Sequence, residues 1–425
     1  MPSWYQTYSN ILFTHFSEGF LQLPENAKAA VSPKNALTRL LKMGGYTFVR
    51  LFGNLLSAVE KPQALEGKVW LYVVSQNNYD SLKFIAEGLP DSVFVAGQSK
   101  ALGKYRYAVQ RISLRQKIIF YYKLLPLSLQ FLKHNRKSTL RFFDLLYDAI
   151  GFYEVYLEKI RKYKPKAIIF ANDHNADARA MLLAAKANGI KTVYIQHASV
   201  SALFPPLSFD LNLLEGQDAL DKYCSCGPIS GEVKLIGLPK ADAFVFKRNQ
   251  SNTIRTIGIG CNLLDDLTEI KNLVKSLSLA LPDIKFILRP HPRDKRNFQA
   301  MVAMSPNITL SDSHHELTFD YLQQLDVQIS GNSGIHLEAV LLNVWSIFYD
   351  FNPSQRLDDY YGFIKHGLVD TSDSTVHLLS LLKLNLTSKP NVVGRAAYYN
   401  STIDTPYDGN SKTLALNCIN SFLRS

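Results

Sequence analysis

Apolar runs about the length of a strand alternate with amphipathic stretches along most of the chain. Lys68–Val74, Ser92–Ala96, Lys166–Ala171, Lys191–Gln196, Phe209–Leu214 and Val233–Gly237 are rich in Val, Ile, Leu, Phe and Tyr. A strand covered on both faces needs no polar alternate positions, so such runs predict a parallel sheet sandwiched by helices. Between them, Ala176–Asn188 has the helical period and stops at Gly189. Phe246–Thr253 is polar and patternless, which predicts a domain boundary. The alternation then restarts with Ile254–Gly260, a helix from about Asp265 to Leu281, and strands at Lys285–Leu288, Asp326–Ser330 and Val344–Phe348. A last helix is predicted over Asn410–Leu423.

Strands that alternate with helices build βαβ units. The predicted class is therefore α/β, with two doubly wound Rossmann-like domains facing across a cleft and extra N-terminal helices. Their expected extents are 1–245 and 254–409, with a C-terminal helix over 410–425. A chain of 425 residues exceeds what one core usually supports, which agrees with two domains.

Charge changes this picture in one place. The net charge is +11, yet residues 97–166 alone hold 16 Lys and Arg against 4 Asp and Glu, or 16 − 4 = +12. The same segment carries 13 Phe and Tyr residues, so it predicts a basic, aromatic helical insertion in the first domain. Either its aromatic stripe is core and its lysines are solvated, or the segment lies on an anionic membrane surface. A second amphipathic stretch, Asn35–Val59, places Arg39, Lys42 and Arg50 among leucines and phenylalanines. No nucleic-acid-binding signature accompanies the basic segment, so no nucleic acid partner is expected. No run reaches about 18 uncharged apolar residues, and none is expected to span a bilayer. Met1–Phe20 lacks the pattern of a signal peptide, and four cysteines with no zinc-like spacing suit a reducing cytoplasm. The expected location is cytoplasmic, peripheral on the inner face of the membrane.

Candidate chemistry gathers at predicted strand ends. Arg289-Pro-His291-Pro offers a guanidinium fork and an imidazole for phosphate oxygens. Ser330-Gly-Asn332-Ser333-Gly334 opens directly into a helix, so Ser333 is the expected N-cap and the glycines admit a phosphate to the backbone. Glu338, in the next turns, would meet a ribose hydroxyl or pair with a neighbour; His336 reads as a packed helical residue. In the first half, His197 ends one strand and is placed to take a proton from an acceptor hydroxyl. Asp173 and His174 end the preceding strand, as a second base or as partners of His197, with Asp173 alternatively capping the following helix. Glu215 is a further carboxylate candidate.

The chain contains no Asp-x-Asp, no phosphate-binding Gly-x-x-x-x-Gly-Lys-Ser/Thr loop, and only a fragment, Ile257-Gly-Ile-Gly260, of a dinucleotide fingerprint. Neither a metal, nor ATP hydrolysis, nor hydride transfer is expected, and no cofactor beyond a nucleotide-sugar donor.

The order of the His197 loop, Gly237-Leu-Pro-Lys-Ala-Asp242, Arg289-Pro-His-Pro and Ser330-Gly-Asn-Ser-Gly334 resembles the GT-B transferases of bacterial surface polysaccharides. Closest in layout are CDP-glycerol glycerophosphotransferase-like enzymes and CMP-sugar transferases that add Kdo or sialic acid to capsule and lipopolysaccharide. The resemblance covers roughly Pro165 to Asp370. It implies an inverting, metal-independent glycosyltransferase that acts on a glycan or lipid-linked acceptor. His197, with Asp173, would be the base, and Arg289, His291 and Ser333 would hold the departing phosphate. The chain has Ala198 where the glycerophosphotransferases have Gly, and Leu214-Glu215-Gly216 keeps one acid of the sialyltransferase pair. An enzyme like UDP-N-acetylglucosamine 2-epimerase, which shares the two-domain fold, is the alternative.

Overall fold

A computed structural model describes residues 3–53, 61–97, 106–352 and 359–425. The end of the Asn35–Val59 stretch and the start of the 97–166 segment therefore lie outside the described residues. The chain divides into two compact units.

The first unit is built on seven parallel strands: β1 Val69–Tyr72, β2 Ser92–Ala96, β3 Val109–Arg111, β4 Ala167–Phe170, β5 Lys191–Ile195, β6 Leu211–Leu214 and β7 Glu232–Leu235. Their order is β3-β2-β1-β4-β5-β6-β7, with Val69 opposite both Ser92 and Ala167. Winding outward from β1 in both directions puts a topological switch point between β1 and β4. β1, β4 and β6 are buried at every position, which is why their sequences show no alternation. Each large aliphatic or aromatic side chain so enclosed contributes about 1.5–3 kcal/mol.

The second unit has six parallel strands: β8 Thr256–Cys261, β9 Lys285–Pro290, β10 Ile308–Leu310, β11 Val327–Ser330, β12 Trp345–Tyr349 and β13 Asp370–Ser372, in the order β10-β9-β8-β11-β12-β13. Its switch point falls between β8 and β11. Asp266 opens the helix Leu267–Ala280 by accepting from Thr268 and Glu269 N–H at 2.7 and 3.1 Å.

Three strands escaped the sequence reading. β3, β10 and β13 are three-residue edge strands, largely outside the core, so they leave no apolar run. The expected linker 246–253 is also corrected. The first unit's own strands end at Leu235, and the chain from Ile236 packs with the second unit, where Leu238, Ala241 and Val245 join the core. Asn249 then donates to the Leu325 carbonyl at 2.7 Å and to Asp326 at 2.8 Å, and Arg248 holds Asp408 at 2.5 Å. A polar sequence here means polar anchoring.

In the basic segment, Phe131, Phe142, Phe152, Tyr156 and Tyr163 are buried, so its aromatic stripe is mostly core. They pack with Tyr8, Ile11, Leu12 and Phe16 from the N-terminal helices. Several of its cations are internal as well: Lys123 pairs with Glu154, and Arg141 holds Glu25 at 2.6 Å. Its surface mixes cations such as Lys133, Arg136, Lys137 and Arg161 with the exposed apolar side chains of Ile119, Tyr122, Leu125, Leu129 and Leu140.

The last helix, Ser411–Arg424, begins on Asp242, which accepts from Ser411 and Lys412 N–H at 3.0 and 2.8 Å. From Leu414 onward it belongs to the first unit. There Leu416 lies so close to Gly88 that a Cβ on that glycine would come within 2.6 Å, and the Phe422 carbonyl accepts from Lys191 at 3.0 Å.

Candidate active site

In the first unit the chain leaves β4 through Asn172-Asp173-His174-Asn175. Asn175, not Asp173, caps the helix Ala176–Ala187, accepting from Asp177 N–H at 3.0 Å. That leaves Asp173 for other work. Its side chain is 2% exposed; one oxygen accepts from the Tyr223 hydroxyl at 2.7 Å and the other lies 3.0 Å from His174 Nδ1. A carboxylate accepts, so Nδ1 carries a proton, and in the neutral tautomer His174 Nε2 has the lone pair. The Tyr194 hydroxyl stands 3.0 Å behind Tyr223, and burial holds the Tyr223 phenol well above its usual pKa. His174 is 28% exposed and stacks on Phe204 with ring centroids 4.3 Å apart. This is an oriented imidazole at the carboxyl edge of a sheet.

Asp173 thus meets its own neighbour, His174. His197 stands half-buried at the end of the adjacent strand β5. Glu215, just past β6, packs with the second unit, where its carbonyl accepts from Ser401 N–H at 3.0 Å. The contact is close: a Cβ on the following Gly216 would lie 2.5 Å from the Tyr399 carbonyl carbon.

In the second unit, loops from the adjacent strands β9, β8 and β11 meet at the switch point. Asn262 donates from Nδ2 to the Asn332 carbonyl at 3.1 Å, which joins the β8 and β11 loops. Arg296 donates to the carbonyls of Asn262, at 2.7 Å, and Asp265, and pairs with Asp294 at 2.6 Å, which joins the β8 and β9 loops. The sequence reading missed Arg296; the acid spaced two residues before it, in a loop at a strand end, was the available signal. Asp265 was missed too. It is buried, accepts from Asn262 N–H at 2.6 Å, and has its pKa pushed up to about 6 chiefly by burial. A Cβ at Gly331 would sit 3.1 Å from Asp265 Oδ1, so this glycine keeps the crevice floor low.

Arg289 departs from expectation. Its guanidinium is buried, donates to Ser311 at 2.6 Å, to Glu316 Oε2 at 3.0 Å and to the Glu316 carbonyl at 2.8 Å, and lies over the Tyr321 ring. The fork is already filled by protein oxygens. Ser330 is likewise internal, donating to the Gly260 carbonyl at 3.0 Å. Ser333 is not the N-cap. Gly334 holds that position before the helix Ile335–Leu341, and the Ser333 hydroxyl accepts from Ile335 N–H at a long 3.4 Å. Glu338 pairs with Lys240 at 2.7 Å, the neighbour alternative of the sequence reading. His336 is the packed residue expected. It bonds the Gly331 carbonyl at 2.8 Å and Ser346 at 2.7 Å, and burial pulls its pKa down to about 4.

His291 faces a cavity of about 390 Å³ that it shares with Arg296, Ser311 and His314. Its Nδ1 accepts from Arg293 N–H at 3.1 Å, so the neutral ring presents Nε2–H as a donor. Burial, then Arg293, lowers its pKa and favours that neutral form.

No protein-family model matches the chain, and no curated protein matches it. Solved structures do. The UDP-GlcNAc 2-epimerase from Neisseria meningitidis bound to UDP-GlcNAc is similar at TM-score 0.55 and 14% identity, over 83% of this chain and 100% of that one. The wall teichoic acid polymerase TagF is similar at TM-score 0.52 and 10% identity, over 91% and 97%. MurG from Acinetobacter baumannii is similar at TM-score 0.50 and 12% identity, over 84% and 99%. With its two parallel-sheet α/β units, the chain adopts the GT-B fold.

Proposed function

We propose that the protein is a glycosyltransferase that moves a sugar from a nucleotide-activated donor to a glycan or lipid-linked acceptor, with inversion and without a metal. The observation that carries this reading is the Asp173–His174 pair at the carboxyl end of β4. His174 Nε2 takes the acceptor hydroxyl proton as its oxygen attacks the anomeric carbon, and the bond from that carbon to the donor phosphate breaks on the opposite face. Asp173 holds the ring tautomer and balances the imidazolium that forms. His197, on the neighbouring strand, is an acceptor contact. In the second unit the leaving phosphate lies over Gly331, against the N–H groups of the Asn332–Gly334 loop and the Ser333 hydroxyl. His291 Nε2–H donates to it.

The proposed donor is a CMP-linked acidic sugar, Kdo or sialic acid, in capsule or lipopolysaccharide synthesis, as the motif order suggests. The deciding experiment is calorimetric titration with CMP, CDP, UDP and GDP, with and without magnesium. Selective, metal-independent CMP binding is expected. CDP preference would favour a glycerophosphotransferase, UDP preference an epimerase or hexose transferase, and no binding by any of them would overturn the reading.

A further inference from the structure

The first unit holds a second cavity, of about 490 Å³, that the sequence reading did not anticipate. Its walls come from the N-terminal helices, the helix Ala36–Phe48 with the π-turn Val49–Gly53 that follows it, and the helices of the basic segment. Asn175, the residue after His174, lines it. His15 lines it as well, and its pKa is lowered to about 4, chiefly by burial, with His174 and Lys42 pushing the same way. The cavity thus adjoins the candidate base.

Its polar wall carries excess positive charge. Among the described residues, Lys42, Arg50 and Lys117 line it, against one lining carboxylate, Asp148. Lys42 is matched at 2.9 Å by Asp144. Arg50 takes Asp148, donating to its carboxylate and, at 3.0 Å, to its carbonyl. Lys117, with no exposed surface, is left with the Asp148 carbonyl, the face of Phe152 at 3.0 Å, and the shared carboxylate at 3.9 Å. Burial and the adjacent Arg50 push its pKa well below that of a free lysine. Burial without its own counter-ion favours the neutral amine, and an anion in the cavity would favour the protonated, charged form of Lys117 instead. The remaining wall is apolar, with Leu12, Val31, Leu114 and Leu145.

The helix Ala36–Phe48 connects the cavity to the surface. Lys42, Tyr46 and Arg50, at helical spacing, face inward, while Leu37, Leu41 and Phe48 are 64%, 69% and 62% exposed. An apolar face turned to the outside, backed by cations on the inside, suits a molecule with an apolar body and an anionic head.

We propose that this cavity binds the anionic head of a membrane amphiphile, a phosphate ester on an apolar chain, and that this amphiphile is the acceptor. Only the word acceptor rests on the transferase reading; the binding site stands on its own residues.

The test is calorimetric titration of the whole protein with octyl phosphate, compared with octanol and inorganic phosphate. One octyl phosphate per chain is expected to bind at least about tenfold more tightly than either comparator, a factor that corresponds to about 1.4 kcal/mol. Lys117→Met should weaken it by about tenfold or more. Leu145→Trp, which fills the cavity and spares every charge, should do the same, and thermal melting of both variants reports whether they fold. No saturable binding, or binding that neither variant alters, would overturn the site. Inorganic phosphate binding as tightly as octyl phosphate would overturn the amphiphile. Titrating CMP and UDP into the same samples separates the two ideas. Nucleotide binding without octyl phosphate binding defeats only this proposal, and the converse defeats only the transferase reading.

Discussion

Arg289 and Glu316 meet at 3.0 Å, and the Ser311 hydroxyl bonds both of them. The guanidinium that ends β9 thus secures the loop after β10. Removing one member of such a buried set leaves the other charge unpaired. Arg289→Ala should therefore destabilise the second unit by about 3 kcal/mol. Nucleotide affinity, compared at a temperature where both proteins are folded, should change far less than the melting midpoint. A large loss of nucleotide affinity with an unchanged melt would return Arg289 to the phosphate site.

The Asp173–His174 pair makes a kinetic prediction. His174→Asn should lower turnover by about a hundred- to ten-thousand-fold while nucleotide binding survives. Asp173→Asn, which no longer enforces the Nδ1–H tautomer, should cost up to about ten-thousandfold. His197→Ala should raise the acceptor KM more than it lowers kcat. If His197→Ala abolishes turnover and His174→Asn does not, the two histidines exchange roles.

Two buried groups beside the β11 loop give the second unit opposing pH dependences. His336 has its pKa drawn from 6.5 to about 4, so the unfolded chain takes up this proton first on acidification. Its contribution is full above 6.5 and is lost between 6.5 and about 4, by about 3 kcal/mol. Asp265 is raised from 3.8 to about 6, so here the folded chain binds the proton first, and stability falls as pH rises through that window. Asp265→Asn should therefore stabilise the unit at neutral pH by up to about 3 kcal/mol and expose the unopposed acid sensitivity of His336. Urea unfolding followed by Trp345 fluorescence, with Trp4 and Trp70 replaced by Phe, reads this directly. A parallel pH profile for variant and parent would refute it.

The exposed face of the Ala36–Phe48 helix predicts attachment to vesicles of anionic lipid. Leu41→Ser and Phe48→Ser should each weaken flotation by about thirtyfold, since each removes roughly 2 kcal/mol of apolar burial. Added salt should weaken it further through the basic segment. Binding that ignores both salt and these substitutions would count against the membrane reading.

Much of the fold was legible because its interior strands are uninterrupted apolar runs. Ala167–Phe170 and Val327–Ser330 are buried at every position, and burial on both faces writes itself into composition. The edge strands and the polar anchor at Asn249 were not legible, because short half-exposed elements and side-chain-to-backbone bonds leave no period. The site follows the same division. That polar residues end β4, β9 and β11 was visible, whereas their partners were not. Arg289 finds Glu316 across 27 positions of sequence, and Asp173 finds Tyr223 across 50. Arg296 and Asp265 became candidates only when three loops were seen to meet.

The terminal helix has a consequence for biosynthesis. Residues 414–425 pack into the unit that begins the chain, although the whole second unit is translated between them and β7. At 5–20 residues per second, roughly ten to forty seconds separate the last strand of the first sheet from the helix that completes its packing. A nascent first domain must wait on the ribosome with the surface around Gly88 and Lys191 uncovered, open to any chaperone that recognises it. A stop codon a dozen residues early would damage the beginning of the protein.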